Sequence, residues 1–154
     1  MQNECERLPL WSLRRVEPVE SQLRVLVIES AKESGGQVGL QLQLAGIQAM
    51  TAYGAKAAIK WGASWRPDLI VMEVGESGLN GFGTAQALRE LDECWDIAIV
   101  AYSSLSEETV RKAADHQEFD AFCSKTSGVE GLQDVIRKIT WGRLPAVAIG
   151  QVVN

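Results

Sequence analysis

Four polar residues stand where apolar runs end. Glu73 closes Leu69-Ile70-Val71-Met72, and Glu29 closes the run from Val25 to Ile28. Ser103 follows Ile97–Tyr102, and Lys125 comes just after Ala121-Phe122-Cys123. Runs with no polar alternation read as short strands buried on both faces. A charged side chain at the end of such a strand is costly unless something stabilises it. A carboxylate beside a lysine could form an ion pair that offsets the desolvation of both. Two carboxylates and a metal could instead serve a small α/β enzyme. That second set is a poor one, because it has no histidine and no third acid.

Other chemistries are poorly supplied. Glycines at 75, 78 and 81 follow Glu73, but they form no GxGxxG that opens a helix in register, and no GK[ST] occurs. A nucleotide cradle is therefore disfavoured. His116 is the single histidine, lying in what reads as a helix end, so neither a multi-histidine metal site nor a Ser-His-Asp triad is favoured. Cys5, Cys94 and Cys123 are odd in number and unpaired in spacing. They suit a reducing compartment and give no disulfide framework or zinc site.

The elements that must position these groups follow from periodicity. "RVLVI" (24–28) is the first strand, and "QVGLQLQLAG" is ambiguous. Alternating Val38, Leu40, Leu42 and Leu44 suit a strand, whereas Leu40 and Leu44 share a helix face and Gly46 suits a C-cap; its place in the larger pattern favours helix. "IQAMTAY" reads as a weak strand and "GAKAAIKWG" as a short helix closed by Gly62. After the strand 69–72, Phe82, Ala85, Leu88 and Leu91 recur every three residues as a helix. "IAIVAY" is a fourth strand and "AFC" a short fifth one. Ser104 with Glu107, and Ser127 with Glu130, have capping-box spacing before two further helices. The last helix puts Val129, Leu132, Ile136 and Ile139 on one face. Five strand-helix units with fully apolar strands predict a doubly wound parallel sheet covered on both sides. Ligands of such sheets bind beyond the carboxyl ends of the strands, where the four polar groups converge.

Composition agrees with one globular domain: 154 residues, 46% hydrophobic, 23% charged and a net charge of −5. An acidic chain without a basic stripe argues against a nucleic-acid partner. No run approaches the ~18 apolar residues of a membrane span, and no signal-peptide core precedes the first strand. No membrane association is expected, and the expected location is cytoplasmic.

With these residues in place, the chain resembles the CheY-like receiver domains of two-component response regulators. The resemblance runs from about Leu23 to Trp141 and is densest in "RPDLIVMEVGESGLNGFG", with Gly78, Leu79, Asn80 and Gly81 after the acidic position. It implies a flavodoxin-like (βα)5 fold with strand order 2-1-3-4-5. Residues 1–22 then form an N-terminal extension, 23–141 the receiver-like domain and 142–154 a C-terminal tail. Carried over by position, Glu73 stands for the phosphoaccepting aspartate, and Glu29 with Ser30 for two acids that help to hold Mg²⁺. Ser103 and Lys125 stand for the residues that contact phosphoryl oxygens, and Phe122 for an aromatic that changes orientation on activation.

The departures matter as much. The acceptor is Glu instead of Asp, Ser30 replaces an acid, Ser77 replaces a usual proline, and Thr126 replaces a proline after Lys125. A methylene moves the Glu73 carboxylate by roughly 1 Å, enough to cost on the order of 10²-fold in rate. Mg²⁺ requires near-ideal octahedral oxygen geometry, so its binding is expected to be weak at best. No other cofactor is implied. The expected function is an atypical receiver that recognises a protein, a histidine kinase or a downstream signalling protein, without conventional aspartyl phosphorylation. The alternatives are slow phosphorylation on Glu73 or another residue, and the weaker metal-dependent enzyme. "ITWGRLPAVAIGQVVN" is too short for a DNA-binding unit, which points to output by protein contact. "LPLWSL" near the N-terminus is too apolar for a free tail, and is expected to pack on its own domain or on a second copy in a homodimer.

Overall fold

The computed structural model describes residues 10–18, 22–30, 36–75, 81–114 and 118–140. Strands β1 (Arg24–Glu29), β2 (Gln48–Tyr53), β3 (Leu69–Val74), β4 (Ala98–Ser103) and β5 (Ala121–Ser124) alternate with helices α1 (Gln37–Leu44), α2 (Ala55–Trp65), α3 (Gly81–Arg89), α4 (Glu107–Ala113) and α5 (Gly128–Ile139). All strand pairs are parallel, in the order β2-β1-β3-β4-β5. This is the doubly wound α/β architecture that the apolar runs predict. No helix among the described residues is long and apolar enough to cross a membrane.

The strands are apolar on both faces because each face carries its own core. Val25, Val27, Leu69, Val71 and Val100 pack against Leu42 of α1 and Leu132, Ile136 and Ile139 of α5. Leu26, Ile28, Ile70, Met72 and Ile99 face Ala58, Ala85, Leu88 and Val110 of α2, α3 and α4. Alternation along each strand sends successive side chains to opposite cores.

Segment 37–44 is a helix, and the residues that it buries explain its ambiguous pattern. Leu42 and Gly39 face the sheet, while Leu40 and Leu44 share a face that points to solvent. Gly39 is required there, since a Cβ would lie 2.5 Å from Thr51 Oγ1. Helix α2 does not stop at Gly62 but continues to Trp65, and Arg66 ends it at φ 57°. Gly62 is buried instead, where a Cβ would come 3.0 Å from Leu88 Cδ2. The cap of α4 is Ser106, whose hydroxyl accepts from the Thr109 N–H, and not Ser104. Ser127 makes no side-chain cap because a 3-10 turn at Lys125–Ser127 already gives it helical backbone angles.

The described part of the N-terminal extension is a strap along the outer edge of the sheet. Leu10 bridges Ala121 in antiparallel sense, Trp11 N–H donates to the Asp120 carbonyl at 2.6 Å, and Val16 N–H donates to the Ile139 carbonyl at 2.9 Å. Val16 is buried in the core beneath α5. The strap occupies backbone groups that the edge strand β5 would otherwise present unpaired. Asp120 anchors it: Oδ1 accepts from Ser12 Oγ and Arg14 Nη1, and Oδ2 from Arg89 Nη2 and the Ile99 N–H, all at 2.7–2.9 Å.

Candidate functional site

Glu73 and Lys125 meet at the carboxyl end of the sheet. Lys125 Nζ donates to Glu73 Oε2 at 2.5 Å, and the Ser30 backbone N–H donates to Glu73 Oε1 at 2.7 Å. Both carboxylate oxygens are thus engaged from within the chain. Burial pushes the Glu73 carboxyl up, but the Lys125 ammonium and the Ser30 donors outweigh it, so the net shift is downward. Glu73 stays ionised. The end of β3 lies close to the start of α3 because Gly81 has no side chain; a Cβ there would lie 2.8 Å from the Glu73 carbonyl oxygen.

Glu29 is the opposite case. It is 5% exposed, and its Oε1 has no hydrogen-bond partner among the described residues. Burial and the neighbouring Glu73 charge push its carboxyl up, against the weaker pull of Lys125 and the Gly36 N–H. Two carboxylates on adjacent strands therefore differ in character, one ionised and paired and one with an oxygen left without a partner among the described residues.

A cavity of about 270 Å³ lies beside them, under the N-terminal end of α1. Val27, Val38, Val71 and Tyr102 supply its apolar wall. Glu29, Gln37, Glu73 and Lys125 supply polar groups. Strand register explains who is present. Glu73 is paired with Tyr102, and Val74 with Ser103. Registered neighbours in a sheet share a face, so Tyr102 lies with Glu73 while Ser103 points to the other side. Ser103 is buried, donates to the Val74 carbonyl at 2.5 Å and accepts from the Leu105 N–H at 3.0 Å. The structure thus brings together Glu29, Ser30, Glu73 and Lys125 and leaves Ser103 outside. Tyr102, Gln37 and Val38 escaped the sequence reading; the alternation that placed Glu73 also places Tyr102.

Phe122 is not at the cavity. It is buried in the core on the far face, with Trp11 of the strap stacked on it at 6.0 Å between centroids and 4° between planes. The Trp11 indole N–H donates to Glu107 Oε2 at 2.8 Å, and Arg111 lies over its ring at 4.4 Å. Among the other tryptophans, Trp61 and Trp65 are half-buried against that same core and Trp95 is 58% exposed. His116, Ser77 and Trp141 lie outside the described residues.

A divalent cation fits this donor set poorly. Ser30 offers no carboxylate, and the Glu73 oxygens already face an ammonium and an amide N–H. No group of three or more His, Cys, Asp or Glu that could hold a metal occurs among the described residues.

No family model matches this sequence, and no curated protein does. Solved structures do match its fold. The chemotaxis protein CheY4 of Vibrio cholerae superposes with a TM-score of 0.66 at 21% identity, over 77% of this chain and 98% of that one. The response regulator TrrA of Thermotoga maritima, solved in complex with Mg²⁺-BeF, gives 0.66 at 21% identity over 77% and 99%. The receiver domain of a Pseudomonas aeruginosa sensor histidine kinase, solved with a magnesium ion in its active-site cleft, gives 0.67 at 15% identity over 77% and 97%. The fold is that of CheY-like receiver domains.

Proposed function

We propose that the chain is an atypical receiver-like signalling module, one that contacts a protein partner without aspartyl phosphorylation. A histidine kinase or a downstream signalling protein is the partner class. The observation that carries the reading is the engagement of both Glu73 oxygens by Lys125 and Ser30. Glu73 supplies a fixed negative charge on a longer arm, in the position where a phosphorylated aspartate would present its own. Lys125 is neutralised in place and is not free to hold a phosphoryl oxygen. Ser30 and Glu29 provide at most one acid where Mg²⁺ would need more. Ser103 serves the backbone of the loop after β4.

Phe122 supports the same reading from the other face. Its ring is stacked on Trp11, which is itself held by Glu107 and Arg111, and these contacts oppose its reorientation. Both positions that would switch in a working receiver are held by the chain itself, so the module presents one constant surface. Titration with Mg²⁺ and beryllofluoride, followed by ¹H–¹⁵N spectra, tests this. The amides of Ser30, Glu73 and Lys125 are expected to stay in place. Saturable shifts at those three would overturn the reading.

A further inference from the structure

The two edges of the sheet are treated differently. The strap lies along the outer side of β5, whereas the outer side of β2 is open among the described residues. Gln48 N–H donates to the Leu23 carbonyl and Gly54 N–H to that of Glu29, both at 2.9 Å, so the even-numbered residues of β2 serve β1. Their alternates, Ala49, Thr51 and Tyr53, turn their backbone groups outward. Among the described residues, the one outer partner of those groups is the Gln43 amide, which donates to the Ala49 carbonyl at 2.9 Å. Such an edge is a template for another strand, and proteins commonly blunt it with lysine, proline or a bulge. Residues 34–55 contain no charged residue and no proline, and β2 pairs with β1 without a bulge.

Helix α1 makes the same edge apolar. Gly39 lies over Thr51, and the Gln43 bond to Ala49 shows which flank of the helix overhangs the open side. Leu40 stands three residues before Gln43 and four before Leu44, so these three share that flank. Leu40 is 56% and Leu44 81% exposed. Apolar side chains beside unpaired backbone call for a cover that is itself strand-like and uncharged. A second copy of the chain supplies one. With a net charge of −5, two copies repel one another over most orientations, and least where neither presents a charge.

We propose that the β2 edge is a dimer interface, pairing antiparallel with β2 of a second copy about a two-fold axis at Thr51. Thr51 then faces its own copy, and Ala49 faces Tyr53. Each of these residues turns both its N–H and its C=O outward, so each pair exchanges two hydrogen bonds. The Ala49 carbonyl has a second lone pair, so Gln43 need not leave it. The same axis sets the two α1 helices side by side on one face of a continuous sheet, where Leu40 and Leu44 of each copy cover those of the other. Such an isologous contact closes at two copies. It involves neither Glu73 nor Lys125, so it stands apart from the question of phosphorylation.

Sedimentation equilibrium on the full chain, paired with amide hydrogen exchange, tests it. A dimer with a dissociation constant on the order of 10 µM is expected, and exchange at the Thr51 and Tyr53 amides should slow as concentration rises. Leu40→Lys combined with Leu44→Lys, both at exposed positions, should weaken association at least about tenfold by setting like charges across the axis. Thr51→Pro should do the same, because the N–H that it removes serves no bond within one copy. Leu13→Lys, at a residue 91% exposed on the strap at the opposite edge, should leave association unchanged. If Thr51→Pro fails to fold, the lysine pair decides alone. A chain that stays monomeric well above that constant, with those amides unprotected, would leave the edge to a different protein and overturn the proposal. Protected amides in a monomer would assign the edge to another segment of the same chain, with the same consequence. So would a dimer that survives the paired lysines, or one that Leu13→Lys disrupts.

Discussion

Lys125 Nζ sits 2.5 Å from Glu73 Oε2, on a pair whose side chains are 36% and 19% exposed. This half-buried contact joins the charged groups that the third and fifth strand ends contribute to the site among the described residues. Glu73→Gln keeps the shape and removes the charge, leaving Lys125 unpaired but partly hydrated. After allowance for solvent screening the loss is about 1 kcal/mol, or roughly 2–4 °C in a domain of this size. A melting curve at neutral pH checks it.

The neighbouring carboxylate should respond with the opposite sign. Glu29 is held above its ordinary value by burial and by Glu73, so its ionised form weakens the fold. Glu29→Gln is therefore expected to raise the melting temperature at neutral pH. The pH dependence separates the two acids. Glu73, whose carboxyl lies below the ordinary 4.5, contributes stability above that pH and loses it as pH falls through its folded value. Glu29 contributes the reverse, a loss as pH rises from 4.5 through its raised folded value. Stability against pH should flatten on the acid side in Glu73→Gln and on the rising side in Glu29→Gln.

The strap offers a test of the contact between Trp11 and Phe122. Trp11→Ala removes the stack on Phe122, the Glu107 hydrogen bond and the Arg111 contact together. Large aromatic truncations cost about 3–5 kcal/mol in a full core, and a half-buried tryptophan belongs at or below the lower end. A fall of roughly 5–10 °C is expected, with new Phe122 ring signals as the ring gains freedom. Unchanged melting and ring shifts would remove the strap from the account.

Asp120 should be the costlier anchor. Its side chain is 1% exposed, and Arg89, which pairs with it, is 16% exposed. Asp120→Ala leaves a buried guanidinium uncompensated, a loss of about 3–5 kcal/mol. Asp120→Asn keeps part of the hydrogen bonding and should fall between the variant and the parent protein. Urea midpoints at constant slope would rank the three.

The sheet was legible because four of its strands have continuous apolar runs; β2, with Gln48 and Thr51 inside it, read only as a weak strand. Glu29, Glu73 and Lys125 were legible for the same reason, each interrupting or ending a run. Ser103 shows where that reasoning stops. It ends a run too, but one residue of strand parity separates the two faces, and only the pairing of Val74 with Ser103 reveals which face it takes. Helix α1 was ambiguous because it leaves Leu40 and Leu44 in solvent, so its leucines do not mark its buried face. Trp11 could be flagged as costly to expose, but its partners, Phe122, Glu107 and Arg111, lie about a hundred residues away in sequence. Capping boxes at Ser104 and Ser127 failed on local geometry, where a nearer serine and a 3-10 turn prevailed.

The central claim is that Glu73 does not accept a phosphoryl group, and intact-mass spectrometry after incubation with Mg²⁺ and acetyl phosphate tests it most directly. Ser30→Asp combined with Glu73→Asp restores the shorter arm and the missing acid, and serves as the variant expected to gain one phosphoryl mass. The parent protein is predicted to keep its unmodified mass under the same conditions. A single phosphoryl addition to the parent, mapped to Glu73, would contradict the account.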